Sequence, residues 1–222
     1  MLSFPRSICR KYISTWRNVN PNEIQVELMQ AGLSNKLFIL SVPNKEPSKA
    51  FLRLYGPLRQ TLAKIIDEQT ILEVLTEVKL TARIYASFEE GRIEEFLNGQ
   101  MLTIDEFYTE PIYKKLISKL HLLHNLQKVK PKLLTLKGNE TVIISIIRDD
   151  IHSQNALIDN DKLHLVDYEF SGFNYRAYEL AVIFTEKTIS YTVKEPPYFK
   201  YNWEAKHYPD ETEIGHFIEL LI

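Results

Sequence analysis

The sequence is short of several residue types, and each shortage excludes a class of protein. One cysteine in 222 residues rules out an internal disulfide framework and fits a reducing compartment. The seven glycines form no Gly-x-Gly-x-x-Gly loop for phosphates. No apolar run approaches the roughly 18 residues that a membrane span needs, so we expect no membrane span. The net charge of -2 favours neither nucleic acid nor anionic lipid, so we expect no nucleic-acid partner.

What the chain does contain is a dense polar stretch between residues 148 and 176. Residues 142–147 before it are mostly β-branched and apolar, which is typical of a buried strand. Two short apolar segments, 156–158 and 163–166, are joined by Asp-Asn-Asp-Lys, which predicts a hairpin. Because a hairpin brings its two ends together, Asn155 is expected beside Asp167.

Oxygen-bearing side chains at three positions then fit a Mg²⁺ site for phosphoryl transfer. Asp150 follows the first predicted strand and stands five residues before Asn155. Carboxylate and amide oxygens are ligands that Mg²⁺ shares with substrate phosphates. An Asp, an Asn five later and a further Asp also form the kinase pattern, in which the first Asp accepts the proton of the attacking hydroxyl. We interpret Asp159 and Asp161 as solvated turn residues.

Two stretches resemble the choline/ethanolamine kinase family. Residues 148–155 read Arg-Asp-Asp-Ile-His-Ser-Gln-Asn, where the family has His-Asn-Asp-x-x-x-x-Asn. Residues 167–176 read Asp-Tyr-Glu-Phe-Ser-Gly-Phe-Asn-Tyr-Arg, close to the family's Asp-Phe-Glu-Tyr-Ser-Ser-Tyr-Asn-Tyr-Arg. The second match is the more specific, because a general protein kinase has Asp-Phe-Gly there.

The resemblance implies an α+β, two-lobed, protein-kinase-like fold. Its N-terminal nucleotide-binding lobe, residues 1–97, would hold an antiparallel sheet, and its helical catalytic lobe, residues 98–222, would be a truncated one. The implied activity is ATP-dependent phosphorylation of choline or ethanolamine, the first step of phosphatidylcholine or phosphatidylethanolamine synthesis, with Mg²⁺ as cofactor. The implied location is the cytoplasm, and a homodimer is left open.

The resemblance also assigns roles to individual residues. The base is Asp150, and the metal ligands are Asn155 and Asp167. Nucleotide binding is assigned to Ala31, Gly32, Leu33, Ser34, Asn35, Arg53, Glu68, Glu95, Phe96, Leu97, His152 and Asp167. Substrate binding is assigned to Asp150, Glu169, Phe170, Glu186 and Tyr191.

The segment 31–35 lies between two predicted strands, at 24–28 and 37–40. Its residues alone fit either a plain β-hairpin or a nest of backbone N–H groups over phosphates. The family has Gly-Gly-[Leu/Met]-Ser-Asn here, so the resemblance favours the nucleotide loop, with Ala31 in place of the first Gly.

An ion pair between Arg53 and Glu68 is also predicted. Arg53 lies in a predicted strand, 50–56, among apolar residues, where a guanidinium needs an acceptor. Glu68 falls inside the apolar stripe of a predicted helix, 62–80, where an unpaired carboxylate is costly. The pair would correspond to the kinase Lys–Glu pair that holds the α- and β-phosphates, or it would be a purely structural salt bridge.

The remaining segments predict further elements. The first 20 residues carry four basic residues and no acid, which fits a mitochondrial transit peptide or an amphipathic first helix. Similarity to the family reaching back to Trp16 favours the helix. Further along the chain, the sequence predicts strands at 83–88 and 93–97, a capping box at 103–106, and a helix that begins near Pro111 and has an apolar stripe at Leu116, Leu120 and Leu123. On that helix, His121 and His124 are interpreted as structural rather than metal-binding residues. The C-terminal part is predicted to contain a helix at 178–189, closed by Pro196 and Pro197, and an amphipathic segment at 214–222.

Several departures from the family keep two alternatives open. Arg148, His152 and Gln154 replace the family's His, Gln and Gly, and the chain stops before the helices that supply aromatic residues around the substrate ammonium. One alternative is a catalytically impaired relative that binds nucleotide as a regulatory or dimerisation partner. The other is a metal-dependent nuclease or phosphatase using Asp149, Asp150 and Asp167.

Overall fold

The structure, a computed structural model, describes residues 3–31, 35–56, 68–126, 132–135, 141–148, 150–168, 171–204 and 208–221. The chain divides into two compact units, Met1–Asn98 and Gly99–Ile222. The predicted boundary fell one residue earlier, and the roles assigned to the two lobes stay predictions. Among the described residues, no helix is long and apolar enough to cross a membrane.

The first unit is built on an antiparallel sheet whose strands are ordered β1-β2-β3-β5-β4. The strands are β1 (Gln25–Ala31), β2 (Asn35–Ser41), β3 (Lys49–Tyr55), β4 (Ile84–Phe88) and β5 (Gly91–Glu95), with helix α2 (Glu68–Glu77) between β3 and β4. The strands predicted at 24–28, 37–40, 50–56 and 83–88 are confirmed. β5 begins at Gly91 rather than at residue 93, because Glu89 and Glu90 alone form the turn from β4.

The N-terminal segment is part of this unit's core. Helix α1 (Ser3–Tyr12) buries Cys9, and the following turn buries Ile13 and Trp16 against strand residues of the sheet. The indole nitrogen of Trp16 donates to the Pro47 carbonyl oxygen at 2.8 Å, so its one polar atom is satisfied. The packing therefore agrees with an amphipathic first helix.

The second unit combines four helices with short antiparallel sheets within its described residues. The helices are α3 (Ile104–Phe107), α4 (Glu110–His124), α5 (Arg176–Glu186) and α6 (Glu211–Leu221). The strands are β6 (Gln100–Met101), β7 (Lys132–Thr135), β8 (Thr141–Arg148), β9 (Ala156–Asp159), β10 (Lys162–Leu165), β11 (Ser171–Tyr175), β12 (Ile189–Ser190) and β13 (Lys200–Tyr201). Their sheets are ordered β10-β9-β6, β11-β8-β7 and β12-β13.

Most local predictions for the second unit are confirmed. Thr103 and Glu106 form the reciprocal capping box of α3, and Pro111 stands in the first turn of α4. The predicted helix 178–189 is wrong at both ends, because α5 begins at Arg176, ends at Glu186 and is followed by strand β12. Pro196 and Pro197 lie in the β12–β13 connection instead of closing the helix.

Gly91 is required where β3 and β5 approach each other. A Cβ added at this position would lie 2.1 Å from the Arg53 carbonyl oxygen, which is a rigid backbone atom. We expect Gly91→Ala to lower the free energy of unfolding by about 1–3 kcal/mol in chemical denaturation, because the paired strands must separate.

The matched control is Gly215→Ala on helix α6, where a Cβ would meet nothing within 4 Å. Alanine there should stabilise by up to about 1 kcal/mol through its helix propensity. Equal stabilities for the wild type and Gly91→Ala would contradict the close approach.

Cys9 should be chemically inert in the folded protein. Burial raises the pKa of its thiol to about 12, so the reactive thiolate is nearly absent at pH 8. We expect alkylation by iodoacetamide to be very slow at pH 8 in buffer and fast in denaturant. Because the chain has one cysteine, the labelled mass reports this site alone. Rapid labelling of the native protein would show that α1 does not hold Cys9 in the core.

Candidate active site

The hairpin of β9 and β10 places the two predicted metal ligands at neighbouring positions. The strands pair in antiparallel register from Lys162–Asp159 to Leu165–Ala156. Asn160 and Asp161 turn the chain with φ of 45° and 67°, the left-handed conformation that tight hairpin turns favour. At the open end, the Val166 N–H donates to the Asn155 carbonyl oxygen at 3.0 Å. The predicted hairpin is confirmed, and it brings Asn155 beside the residue before Asp167.

Asp150 and Asn155 are in direct contact. The Asn155 side-chain nitrogen Nδ2 donates to Asp150 Oδ2 at 2.8 Å and to the Asp150 carbonyl oxygen at 3.2 Å. His152 completes the group, with its Nε2 3.2 Å from Asp150 Oδ1 and 3.0 Å from Asn155 Nδ2. The contact to Asp150 uses the amide nitrogen of Asn155, which leaves the amide oxygen to serve a cation.

The surroundings of Asp150 keep its carboxyl ionised. Burial by itself raises the pKa of Asp150, but the hydrogen bond and charge of His152, the charge of Arg148 and the bond from Asn155 outweigh it. The net pKa lies below the ordinary value. At neutral pH the side chain is therefore a carboxylate that can accept a proton.

Asp167 is held by a buried arginine. Its backbone has a φ of 66°, which is uncommon for a residue with a side chain. Arg148, fully buried, donates from Nη2 to the carbonyl oxygen of Val166 and, at 3.0 Å, to that of Asp167. The guanidinium also stacks over the Tyr168 ring, 4.7 Å from its centroid. These contacts fix the backbone on both sides of the Asp167 side chain.

Glu179 anchors the same region from helix α5. Its carboxylate is fully buried and accepts the Arg148 backbone N–H at 2.7 Å. Its second oxygen lies 2.6 Å from Nε2 of His124, which is also buried. The interpretation of His124 as a structural residue is confirmed by this contact. Sequence reasoning missed Glu179, although it stands four residues before the buried Ile183, on the same face of its helix.

Glu186 and Tyr191 form a further pair next to Asp150. The Tyr191 hydroxyl donates to Glu186 Oε2 at 2.9 Å and Oε1 at 3.2 Å. The Tyr191 ring lies 5.5 Å from the His152 ring. Burial and the charge of Asp150 raise the pKa of Glu186, against the opposing effects of Tyr191 and His152. His152, which was predicted to bind the nucleotide, therefore contacts Asp150, Asn155 and Tyr191. These residues are predicted to act as the base, as a metal ligand and in substrate binding.

Apart from His152 and Asp167, the predicted nucleotide residues lie in the first unit and are only partly described. Arg53 is buried, and its Nε lies 3.4 Å from Glu94 Oε1, an oxygen that also pairs with Arg92 at 2.5 Å. The predicted partner Glu68 has its backbone in α2, but its side chain lies outside the described residues, as do Gly32, Leu33 and Ser34. Of the predicted hinge, Glu95 is exposed, and Phe96 lies under Lys49 Nζ, 4.9 Å from the ring centroid.

The metal prediction rests on Asn155 and Asp167. Asp149, Glu169 and Phe170 lie outside the described residues. Among the residues that are described, no group of three His, Cys, Asp or Glu side chains is arranged to hold an ion. An amide oxygen and one carboxylate still match Mg²⁺, which commonly takes one or two carboxylates and completes its shell with water and phosphate.

Two solved structures share the fold of this chain. A choline kinase from Cryptosporidium parvum superposes with a TM-score of 0.79 over 98% of this chain and 78% of that one, at 23% identity. An ethanolamine kinase from Plasmodium vivax superposes with a TM-score of 0.70 over 98% and 73%, at 20% identity. These likenesses confirm the predicted two-lobed, protein-kinase-like fold.

The sequence defines the family. The choline/ethanolamine kinase family model matches residues 26–145 and 132–222, so this chain belongs to that family, as its two motifs predicted. A human choline/ethanolamine kinase is 27% identical over 263 aligned positions, covering 95% of this chain and 66% of the relative. A mouse choline/ethanolamine kinase is 26% identical with the same coverages. The chain thus spans about two thirds of the length of these relatives.

Arg148 should contribute strongly to the stability of the second unit. In Arg148→Met, the carbonyl oxygens of Val166 and Asp167 lose their donor, and we expect the free energy of unfolding to fall by about 1–3 kcal/mol. Chemical denaturation measures this loss. Arg17→Met, at an exposed arginine, is the matched control and should change stability by less than about 0.5 kcal/mol. Equal effects of the two substitutions would contradict the role of the buried guanidinium.

Proposed function

We propose that the chain transfers the γ-phosphoryl group of Mg·ATP to the hydroxyl group of choline or ethanolamine. The observation that carries the proposal is the contact of Asp150 with Asn155 and His152, beside the Glu186–Tyr191 pair. Together these side chains would provide a proton acceptor in Asp150, a metal ligand in Asn155 and a negatively charged group for an amine in Glu186. The family to which the chain belongs supports the same assignment.

Asp150 is the proposed base. The substrate hydroxyl oxygen bonds to the γ-phosphorus, the bond from that phosphorus to the bridging oxygen breaks, and ADP leaves with the electron pair. The hydroxyl proton passes to the Asp150 carboxylate, whose lowered pKa keeps it ionised beforehand. The position of this carboxylate is set by the amide of Asn155 at 2.8 Å.

Asn155 and Asp167 are the proposed ligands of Mg²⁺. When bound, the ion would neutralise charge that develops on the phosphate oxygens. The residues that do the positioning belong to this chain. Arg148 fixes the backbone at Asp167, and the β9–β10 hairpin fixes Asn155 next to it.

The remaining site assignments are part of the same proposal. Residues 31–35, Arg53, Glu68 and the hinge 95–97 are proposed to bind ATP, together with His152. Glu169, Phe170, Glu186 and Tyr191 are proposed to face the amine, where the Glu186 carboxylate provides the opposite charge. The cytoplasmic location and a homodimer stay predictions from the family resemblance.

Replacing the base separates catalysis from binding. We expect Asp150→Asn to lower kcat by about 100-fold or more, because a positioned base contributes roughly 10²–10⁴-fold. Its ATP affinity, measured by calorimetry with Mg²⁺, should stay near that of the wild type. Asp159→Asn is the matched control, since this carboxylate accepts a bond from its neighbour Asn160 at the hairpin turn and should leave turnover unchanged.

Three results would overturn the proposal. Wild-type turnover retained in Asp150→Asn would show that the base is another group. ATP binding by the wild type without phosphorylation of any amino alcohol would favour a nucleotide-binding partner instead. Mg²⁺-dependent hydrolysis of phosphodiesters or phosphomonoesters, without ATP binding, would favour a nuclease or phosphatase.

A further inference from the structure

Two arginines stand directly opposite each other in the sheet of the first unit. Arg53 on β3 pairs with Arg92 on β5 in antiparallel register. Both side chains are buried, so their orientation is set by neighbouring side chains rather than by solvent. Like charges at directly opposed positions destabilise a sheet, and burial adds a desolvation penalty, so this arrangement needs a compensating negative charge.

One carboxylate oxygen joins the two guanidinium groups. Glu94 stands two residues after Arg92 on the same strand, so its side chain lies on the same face of the sheet. Its Oε1 is 2.5 Å from Arg92 Nε and 3.4 Å from Arg53 Nε. The shorter contact is a hydrogen bond, and the longer one is an electrostatic contact, so Arg92 holds this carboxylate more tightly than Arg53 does. We call these three residues the Arg–Glu–Arg cluster.

The Arg–Glu–Arg cluster lies on the side of the sheet that faces away from helix α1. Leu52 and Ile93, the sequence neighbours of the two arginines, pack in the core with Trp16. Because side chains alternate along a strand, Arg53 and Arg92 point to the other side. The packing of the N-terminal segment therefore does not explain the cluster.

The predicted nucleotide loop, residues 31–35, leads onto the same side of the sheet. Asn35 is the last residue of that loop and the first of β2, where it pairs with Tyr55 of β3. Tyr55 stands two residues after Arg53, so the three side chains share one face. Arg92 lies one strand further away, because β3 separates β2 from β5. Arg53 is thus the guanidinium nearer to the loop.

Stability alone gives little reason for such a cluster. Buried groups of an acid between two arginines can commonly be replaced by apolar residues of similar volume without loss of stability, and often with a gain. Buried charges whose neighbours fix their orientation are instead frequent at functional sites. The cluster is therefore a candidate for a role in ligand binding.

We propose that Arg92 is a positioning residue for the nucleotide, which holds the Glu94 carboxylate so that Glu94 orients the Arg53 guanidinium toward the phosphate groups of ATP. This inference rests on the proposed function, which assigns ATP binding to the first unit. The planar fork of arginine matches two phosphate oxygens at once, so its orientation decides how many contacts form. Because Arg92 binds Glu94 closely, Glu94 anchors Arg53 without being drawn fully onto it.

Ligands that differ in their phosphates test the proposal without turnover. We expect Glu94→Gln and Arg92→Met to weaken the binding of Mg·ATP by about tenfold or more in calorimetry, the size of one hydrogen bond to a charged group. The affinity for adenosine, which has no phosphate, should stay unchanged and also shows that each variant is folded. Arg92→Lys keeps the charge and should restore part of the loss. In turnover, the KM for ATP should rise while that for the amino alcohol stays the same.

Glu90→Gln is the matched control, because it removes the same charge from an exposed side chain in the β4–β5 turn and should change neither affinity. A double-mutant cycle then tests whether the effect passes through Arg53. In the Arg53→Met background, Glu94→Gln should cause no further loss of Mg·ATP affinity, since the guanidinium that it orients is gone.

The outcomes separate this inference from the proposed function. Equal losses of adenosine and Mg·ATP binding would show a purely structural role and overturn the inference. Unchanged or tighter Mg·ATP binding by Glu94→Gln would also overturn it, the tighter binding by showing that this carboxylate competes with the phosphates. Losses confined to Mg·ATP, in a chain that phosphorylates no amino alcohol, would overturn the proposed function and leave the positioning role standing. A wild type that binds no ATP would overturn both.

Discussion

A buried positive charge beneath the candidate active site constrains its geometry. The Arg148 guanidinium is fully buried and donates to the carbonyl oxygens of Val166 and Asp167, while the backbone N–H of the same residue is bound by Glu179. One residue therefore ties β8 to the segment after β10 and to α5. Shifting any of these elements would leave a buried polar group without its partner, which costs about 1–3 kcal/mol. The unusual φ of Asp167 persists because its neighbours are tied in this way.

The same constraint explains why an arginine is tolerated where the family has histidine. Burial lowers the pKa of Arg148, but the Tyr168 ring, Asp150, Asp167 and Glu179 act in the opposite direction, and an arginine stays protonated in proteins. Its planar fork reaches backbone carbonyls that lie beyond a shorter side chain. The buried Glu179 supplies negative charge nearby and is itself paired with His124 on α4. The departure at position 148 thus leaves the segment that carries Asp150 and Asn155 supported.

How much could be predicted from the sequence depends on how local each feature is. The β9–β10 hairpin and the α3 capping box follow from residues within a few positions of one another, and both were predicted. The contact of Glu179 with His124 joins residues 55 apart, and no short-range pattern announces it. Helix α5 ends at Glu186 because the chain then forms strand β12, which pairs with the two-residue strand β13. This pairing is not local in sequence, so the helix was predicted to end three residues too late. The motif at 167–176 predicted the family, yet a motif does not specify which side chains are in contact.

The pair of Glu186 and Tyr191 shows how the protein holds a second carboxylate near Asp150. Glu186 is half-buried beside another carboxylate, and its pKa is raised, so holding it ionised costs free energy. The Tyr191 hydroxyl offsets part of that cost by donating to both oxygens. Under the proposed function, the ammonium group of the substrate would offset more, since it brings opposite charge to two carboxylates at once. The hydrogen bonds from Tyr191 to both oxygens of Glu186 are therefore part of what allows two carboxylates to stand close together beside His152.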